Sequence, residues 1–159
     1  MIKAKKEYYK MAEECLKSYN LVVAHVEELK RELKEIDMED GIKAINYLSS
    51  KTSPTNKIEK VVEDTAISNI TRKDLVLKQI ELYEYKISKI EEAINSLEEK
   101  EQKIIESKYI QGNQWYIVAH EENYSEKWCK KIRNTAINKL TLVLYGKEAL
   151  IESKFLEAI

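Results

Sequence analysis

Lys127, Lys130, Lys131 and Asn134 recur at helical spacing within EKWCKKIRNTAINKL, residues 126–140. Lysine and asparagine are the side chains that neutralise phosphates and read base edges in a DNA groove. The stretch holds five positive charges and one negative charge. On a wheel of about 100° per residue, Cys129, Ile132, Ala136 and Leu140 gather within roughly 80° and form a stripe to be buried. Lys127, Lys131, Asn134 and Asn138 gather opposite, with Lys130 at their edge. Arg133 points near the core edge, where its stem can cover apolar surface. Ser125 stands where a side-chain oxygen caps a helix, and Glu126 suits the positive end of the helix dipole. Trp128 is assigned to packing against a neighbouring helix or partner. The candidate DNA-binding set is therefore Ser125, Glu126, Lys127, Lys130, Lys131, Arg133, Asn134 and Asn138. The competing reading is an ordinary solvated face.

Such a face acts only if other elements hold it outward. Upstream, LEEKEQKIIESKY reads as a short helix using Ile104, Ile105 and Tyr109, ended by Gly112. WYIVAHEEN reads as another, carrying Trp115, Val118 and Ala119. Two short helices, a tight connection and a basic third helix are the layout of a helix-turn-helix unit.

The first hundred residues have a different pattern. Tyr8, Ala12, Cys15, Tyr19, Val22, Val26, Leu29, Leu33 and Ile36 step alternately by four and three, as do Val76, Ile80, Tyr83, Ile87, Ile90, Ile94 and Leu97. These are heptad seams, and two of similar length most simply pack as an antiparallel helical hairpin. The same seams also allow pairing between chains, as a homo-oligomer. Helices are expected near 3–37 and 58–97, with a connection at 38–56 containing Gly41 and the single proline, and a kink within 65–74. The domain reading is a hairpin over 1–96, a helix-turn-helix domain over 97–145 and an amphipathic tail over 146–159.

Composition agrees with an all-α chain. It is 35 % charged with three glycines and one proline, too few turn formers for many short strands. Cys15 and Cys129 lie on apolar stripes and read as buried side chains in a reducing cytoplasm. His25 and His120 are too distant for a zinc site. The amino terminus lacks the apolar core of a signal peptide, and no apolar run approaches the roughly 20 residues that span a bilayer. A cytoplasmic protein is expected. Neither a glycine-rich phosphate loop nor a nucleophile with a nearby histidine is visible, so no enzyme and no cofactor is expected.

The residues after 96 resemble region four of bacterial sigma factors, which binds the promoter −35 element. Leu97, Glu101, Ile104, Ile105 and Tyr109 match its first part. Val118, Ala119, Tyr124, Ser125, Cys129, Ile132, Ala136, Ile137 and Leu140 match its second part without a gap. The family's DNA-reading positions fall on Glu126, Lys127, Lys130 and Lys131. The chain departs from the pattern at Glu122, usually leucine, and at Asn123, which replaces the usual turn glycine. With its heptad helices, the whole chain is similar to small phage and prophage late-operon regulators of the ArpU and RinA type. That resemblance implies a sequence-specific transcription regulator, an activator acting on double-stranded DNA with host RNA polymerase. The alternatives are a small terminase-like DNA-packaging subunit and a coiled-coil adaptor that binds protein only.

Overall fold

The computed structural model describes residues 3–49 and 56–151, with side chains over 3–39 and 70–151. The described chain is all-α. Its order is α1 (Lys6–Ser49), α2 (Asn56–Asn95), α3 (Glu99–Ile105), α4 (Trp115–Glu121) and α5 (Glu126–Tyr145). A π turn, Glu106–Ile110, continues α3, and a 3₁₀ turn, Lys147–Ala149, follows α5. The extended pairing among the described residues is one antiparallel bridge, Ala4 with Leu150. There Lys5 N donates to Ala149 O at 2.8 Å and Ile151 N to Lys3 O at 2.9 Å.

α1 runs past its expected end, whereas α2 matches the expected span to within two residues at each end. α1 runs to Ser49, through residues assigned to the connection. One interior glycine costs a helix only about 1 kcal/mol, and Ile42, Ile45 and Leu48 keep an apolar residue on every turn. α2 passes through 65–74 without the expected kink. Its β-branched and capping residues there are poor helix formers by only a few tenths of a kcal/mol each, which a 40-residue helix absorbs. Residues 50–55 of the connection and 152–159 of the tail lie outside the described residues.

The chain divides into two compact units, 1–22 with 86–159, and 23–85. This division does not follow the sequence-based boundary at 96. In the first unit, Ala12 and Leu16 of α1 meet Ile90, Ala93, Ile94 and Leu97 near the end of α2, Ile105 of α3, and Ala136, Ile137 and Leu140 of α5 in one core cluster. Cutting at 96 would pass through that cluster.

In the second unit, Val26, Leu29 and Ile36 of α1 and Val76 and Ile80 of α2 are buried, as the seams require. His25 meets Tyr83 edge-on at 5.1 Å, and Lys73 donates to Asp37 at 2.6 Å. Partner numbers fall on α2 as they rise on α1, so the two segments are antiparallel. Lys30–Glu84 at 2.9 Å and Arg72–Glu32 at 2.7 Å flank the seam. These exposed pairs fix register more than they add stability.

The seams omit two buried residues, Leu16 and Ala93, because an unsupercoiled helix turns about every 3.6 residues and its buried face drifts from a strict heptad. Leu16 is 1 % exposed, whereas Leu21 on the same helix is 74 % exposed. Leu16→Ala should therefore lower the unfolding free energy by about 2–5 kcal/mol. Leu21→Ala should stay within about 0.5 kcal/mol of wild type. Urea denaturation of the two variants checks this, and equal effects would show that the core is misassigned.

Candidate nucleic-acid interface

The end of α4 and the start of α5 are set within four residues. Glu122 closes α4 with φ −88° and ψ 0°, and Asn123 then takes φ +54°. Asn123 N donates to His120 O at 3.3 Å and Tyr124 N to Ala119 O at 3.0 Å. These two bonds define a Schellman motif, with the left-handed residue just past the helix. Asparagine is one of the few side chains that tolerates this conformation, so it serves where the sigma pattern has glycine. Ser125 follows at once as the cap of α5, its Oγ accepting from Trp128 N at 3.3 Å.

Two buried sets hold α5. Cys129 joins Ile104, Val118 and Ala119, with Trp115, Tyr124 and Ile132 packed around them. Burial pushes the Cys129 thiol above its ordinary pKa, so it serves as an apolar side chain. Further along, Ala136, Ile137 and Leu140 enter the core shared with α1, α2 and α3, and Thr141 is fully buried with its hydroxyl bonded to Ile137 O at 2.7 Å. The buried arc is thus wider than the predicted stripe and centred closer to Arg133.

Arg133 consequently turns inward. Its Nη1 donates to Glu13 Oε1 at 2.9 Å and to the Tyr109 hydroxyl at 3.2 Å. Tyr109 in turn donates to the same Glu13 oxygen at 2.8 Å. Both charged side chains are 21 % exposed, so the pair ties α5, the π turn and α1 together in a partly dry setting. Asn138 is also corrected from its place on the outward face. Its Oδ1 accepts from Ala4 N at 2.8 Å, and its amide nitrogen donates to Asn134 O at 2.8 Å. A helical wheel cannot show this, because the covering residue lies 134 positions away. Asn134 remains exposed, with its Oδ1 accepting from the Tyr9 hydroxyl at 3.0 Å.

The structure brings the others together at the start of α5. Ser125, Lys127, Trp128, Lys130, Lys131 and Asn134 line a shallow concavity of about 440 Å³. Glu126 pairs with Lys130 at 3.0 Å. The Lys131 ammonium lies 5.0 Å from the centre of the Trp128 ring, and Trp128 is 46 % exposed rather than packed away. Lys108, Lys130 and Arg133 all approach the Trp115 ring, at 5.2, 5.6 and 5.5 Å. Such cation–aromatic contacts are favourable when partly desolvated.

A second inward cation, Lys139, reaches the buried Glu101 at 2.8 Å and Glu98 at 2.8 Å. Those carboxylates raise its pKa against the opposing effect of burial. Glu101 also accepts from Glu98 N at 3.3 Å, holding the first turn of α3. Glu13, Tyr9 and Lys139 carry no local signal of their part in these networks. Their partners lie on other helices, beyond the reach of periodicity.

Comparison with protein families, characterised proteins and solved structures gives no match. Among the described residues no group of His, Cys, Asp and Glu is placed to hold a metal ion, and no helix is long and apolar enough to cross a membrane.

Two measurements probe the framework. Asn123→Gly should leave stability within about 0.5 kcal/mol, whereas Asn123→Val should lower it by about 1–2 kcal/mol, because valine resists the left-handed region. Equal melting curves for the two would contradict the turn geometry. The second is alkaline. Burial, then the hydrogen bond to Glu13 working against that from Arg133, pushes Tyr109 up to about 12 from 10.0. A raised folded pKa means stability is full below pH 10.0 and is lost as pH rises toward about 12. Wild type should lose stability more steeply over that window than Tyr109→Phe. Parallel slopes would remove Tyr109 from the network.

Proposed function

We propose that this chain is a sequence-specific DNA-binding transcription regulator whose α4–turn–α5 unit acts as a helix-turn-helix, with the exposed face of α5 entering the major groove. The observation that carries this reading is the sorting of cations on α5. Arg133 and Lys139 are committed to internal carboxylates, while Lys127 and Lys131 stand on the outward side of its first half, with Lys130 at its edge and paired with Glu126. Buried contacts on the opposite face and a capped start give that row a fixed orientation, which groove reading requires. Lys127 and Lys131 are placed for base edges and Lys130 for phosphate. Its ion pair with Glu126 must open for that contact, so Lys130 is the weaker of the three. Ser125 and Glu126 organise the first turn. Arg133 and Asn138 position α5 instead of touching DNA. The sigma-like sequence pattern supports a promoter as the target, and the likeness to phage late-operon regulators supports action with host RNA polymerase in a bacterial cytoplasm.

The test is selection of a binding site from random duplexes, followed by salt titration of variants. Lys130→Ala should weaken selected and random DNA alike and flatten the slope of log K against log salt by about 0.9 or less. Lys127→Ala and Lys131→Ala should weaken the selected site more than random DNA, by about 1–3 kcal/mol. Lys17→Ala on α1, whose ammonium pairs with Glu14 at 2.8 Å, should change neither. If no sequence is enriched but salt-sensitive binding persists, packaging of DNA becomes the better reading. Wild-type behaviour in every variant leaves the lysine row a solvated surface, and the adaptor reading stands.

A further inference from the structure

The outward face of α2 carries a second heptad row within the 23–85 unit. Thr71, Leu75, Lys78, Leu82 and Tyr85 step by four, three, four and three, on the side of the helix away from Val76, Ile80 and Tyr83. Leu75 is 58 % exposed, Leu82 51 % and Tyr85 60 %. Single exposed apolar residues are ordinary on any protein, but three at heptad spacing form a strip suited to another helix. The core of the row, 75–78–82–85, has the same spacing read in either direction, so it can face a copy of itself.

The one charge in that core, Lys78, selects the orientation. In a parallel pairing Lys78 would oppose Lys78 of the second copy, and like charges would repel. In an antiparallel two-fold pairing Leu75 meets Tyr85, and Lys78 meets Leu82, whose neighbour Glu81 then lies within reach of the ammonium. Among the described residues neither Lys78 nor Glu81 makes an ion pair, although Lys30, Arg72 and Lys73 in the same unit each bind a carboxylate on the opposing helix. We infer that the outward face of α2 from Leu75 to Tyr85 is a self-association surface, on which a second copy of this chain packs antiparallel with Lys78 and Glu81 paired reciprocally. A two-fold axis makes each contact occur twice. The strip is small beside a standard interface of about 800 Å² per partner, so the dimer is weak, with a Kd on the order of 10 µM.

Sedimentation velocity of the full chain across a concentration series tests this without reference to DNA. Wild type should move from monomer to dimer over the micromolar range. Leu82→Glu should raise the Kd roughly tenfold or more with unchanged helicity and melting, because the residue lies outside the buried seam. Lys78→Glu and Glu81→Lys should each weaken association, and the double exchange Lys78→Glu with Glu81→Lys should restore it. That rescue separates a designed charge pairing from loss of fold. A wild-type monomer at every concentration, or a dimer indifferent to Leu82→Glu, overturns the inference. Single charge variants that weaken association without rescue by the double exchange overturn the antiparallel register.

Discussion

The rotation of α5 about its own axis is the constraint on which the candidate site depends. Ala136, Ile137 and Leu140 enter a core with Ala12 and Leu16 of α1 and Ile90, Ala93 and Ile94 of α2, while Cys129 is buried among residues of α3 and α4. Burying an aliphatic side chain of this kind contributes about 1.5–3 kcal/mol, and several such contacts along one helix outweigh any preference of a surface lysine for one direction over another. Once the apolar face is fixed, every other position on α5 is fixed with it. Lys127 and Lys131 face outward because Cys129 and Ala136 face inward.

Charge completes what burial begins. A cation placed on the inward side of α5 must find an anion, since a lone charge in a partly dry setting is strongly unfavourable. Arg133 finds Glu13 and Lys139 finds Glu101, and in each case the anion belongs to a different helix. These pairs convert a two-sided apolar contact into a directional one. They also hold two cations against carboxylates of neighbouring helices, while Lys127 and Lys131 stay exposed. The short amino-terminal segment does similar work at the other end of the helix. Ala4 N occupies the Asn138 carbonyl oxygen, and the Ala4–Leu150 bridge holds that segment beside the residues following α5.

Features that depend on local periodicity were legible in the sequence. The seams through Val26, Leu29 and Ile36 and through Val76, Ile80 and Ile90 are buried, and the short helices and the Ser125 cap lie where their residue types placed them. Features decided by distant residues were not. Nothing in the numbering connects Glu13 to Arg133, 120 positions apart, and a wheel built on Cys129, Ile132, Ala136 and Leu140 puts Arg133 at the edge of a stripe that Ile137 and Thr141 widen around it. The end of α1 and the kink expected in α2 failed for another reason. Gly41 and the 65–74 segment are weak breakers, and weak breakers inside helices of 44 and 40 residues are overruled by cooperativity. The π turn at Glu106–Ile110 has no sequence signature, yet it carries the Tyr109 hydroxyl that joins Glu13 and Arg133.

The departures from the sigma pattern can be weighed in the same physical terms. A leucine at position 122 would contribute burial, but Glu122 is half-buried at the end of α4 and its backbone closes the helix without needing that side chain. The requirement at position 123 is a backbone of positive φ, and asparagine meets it at +54°. What the turn requires is therefore a conformation, not a particular residue type. Tyr124 then supplies the apolar contact beside Ala119 that usually accompanies a Schellman ending, and Ser125 begins α5 in the next residue. Three features thus set the turn between α4 and α5: a left-handed residue, an apolar contact behind it and a hydroxyl cap in front.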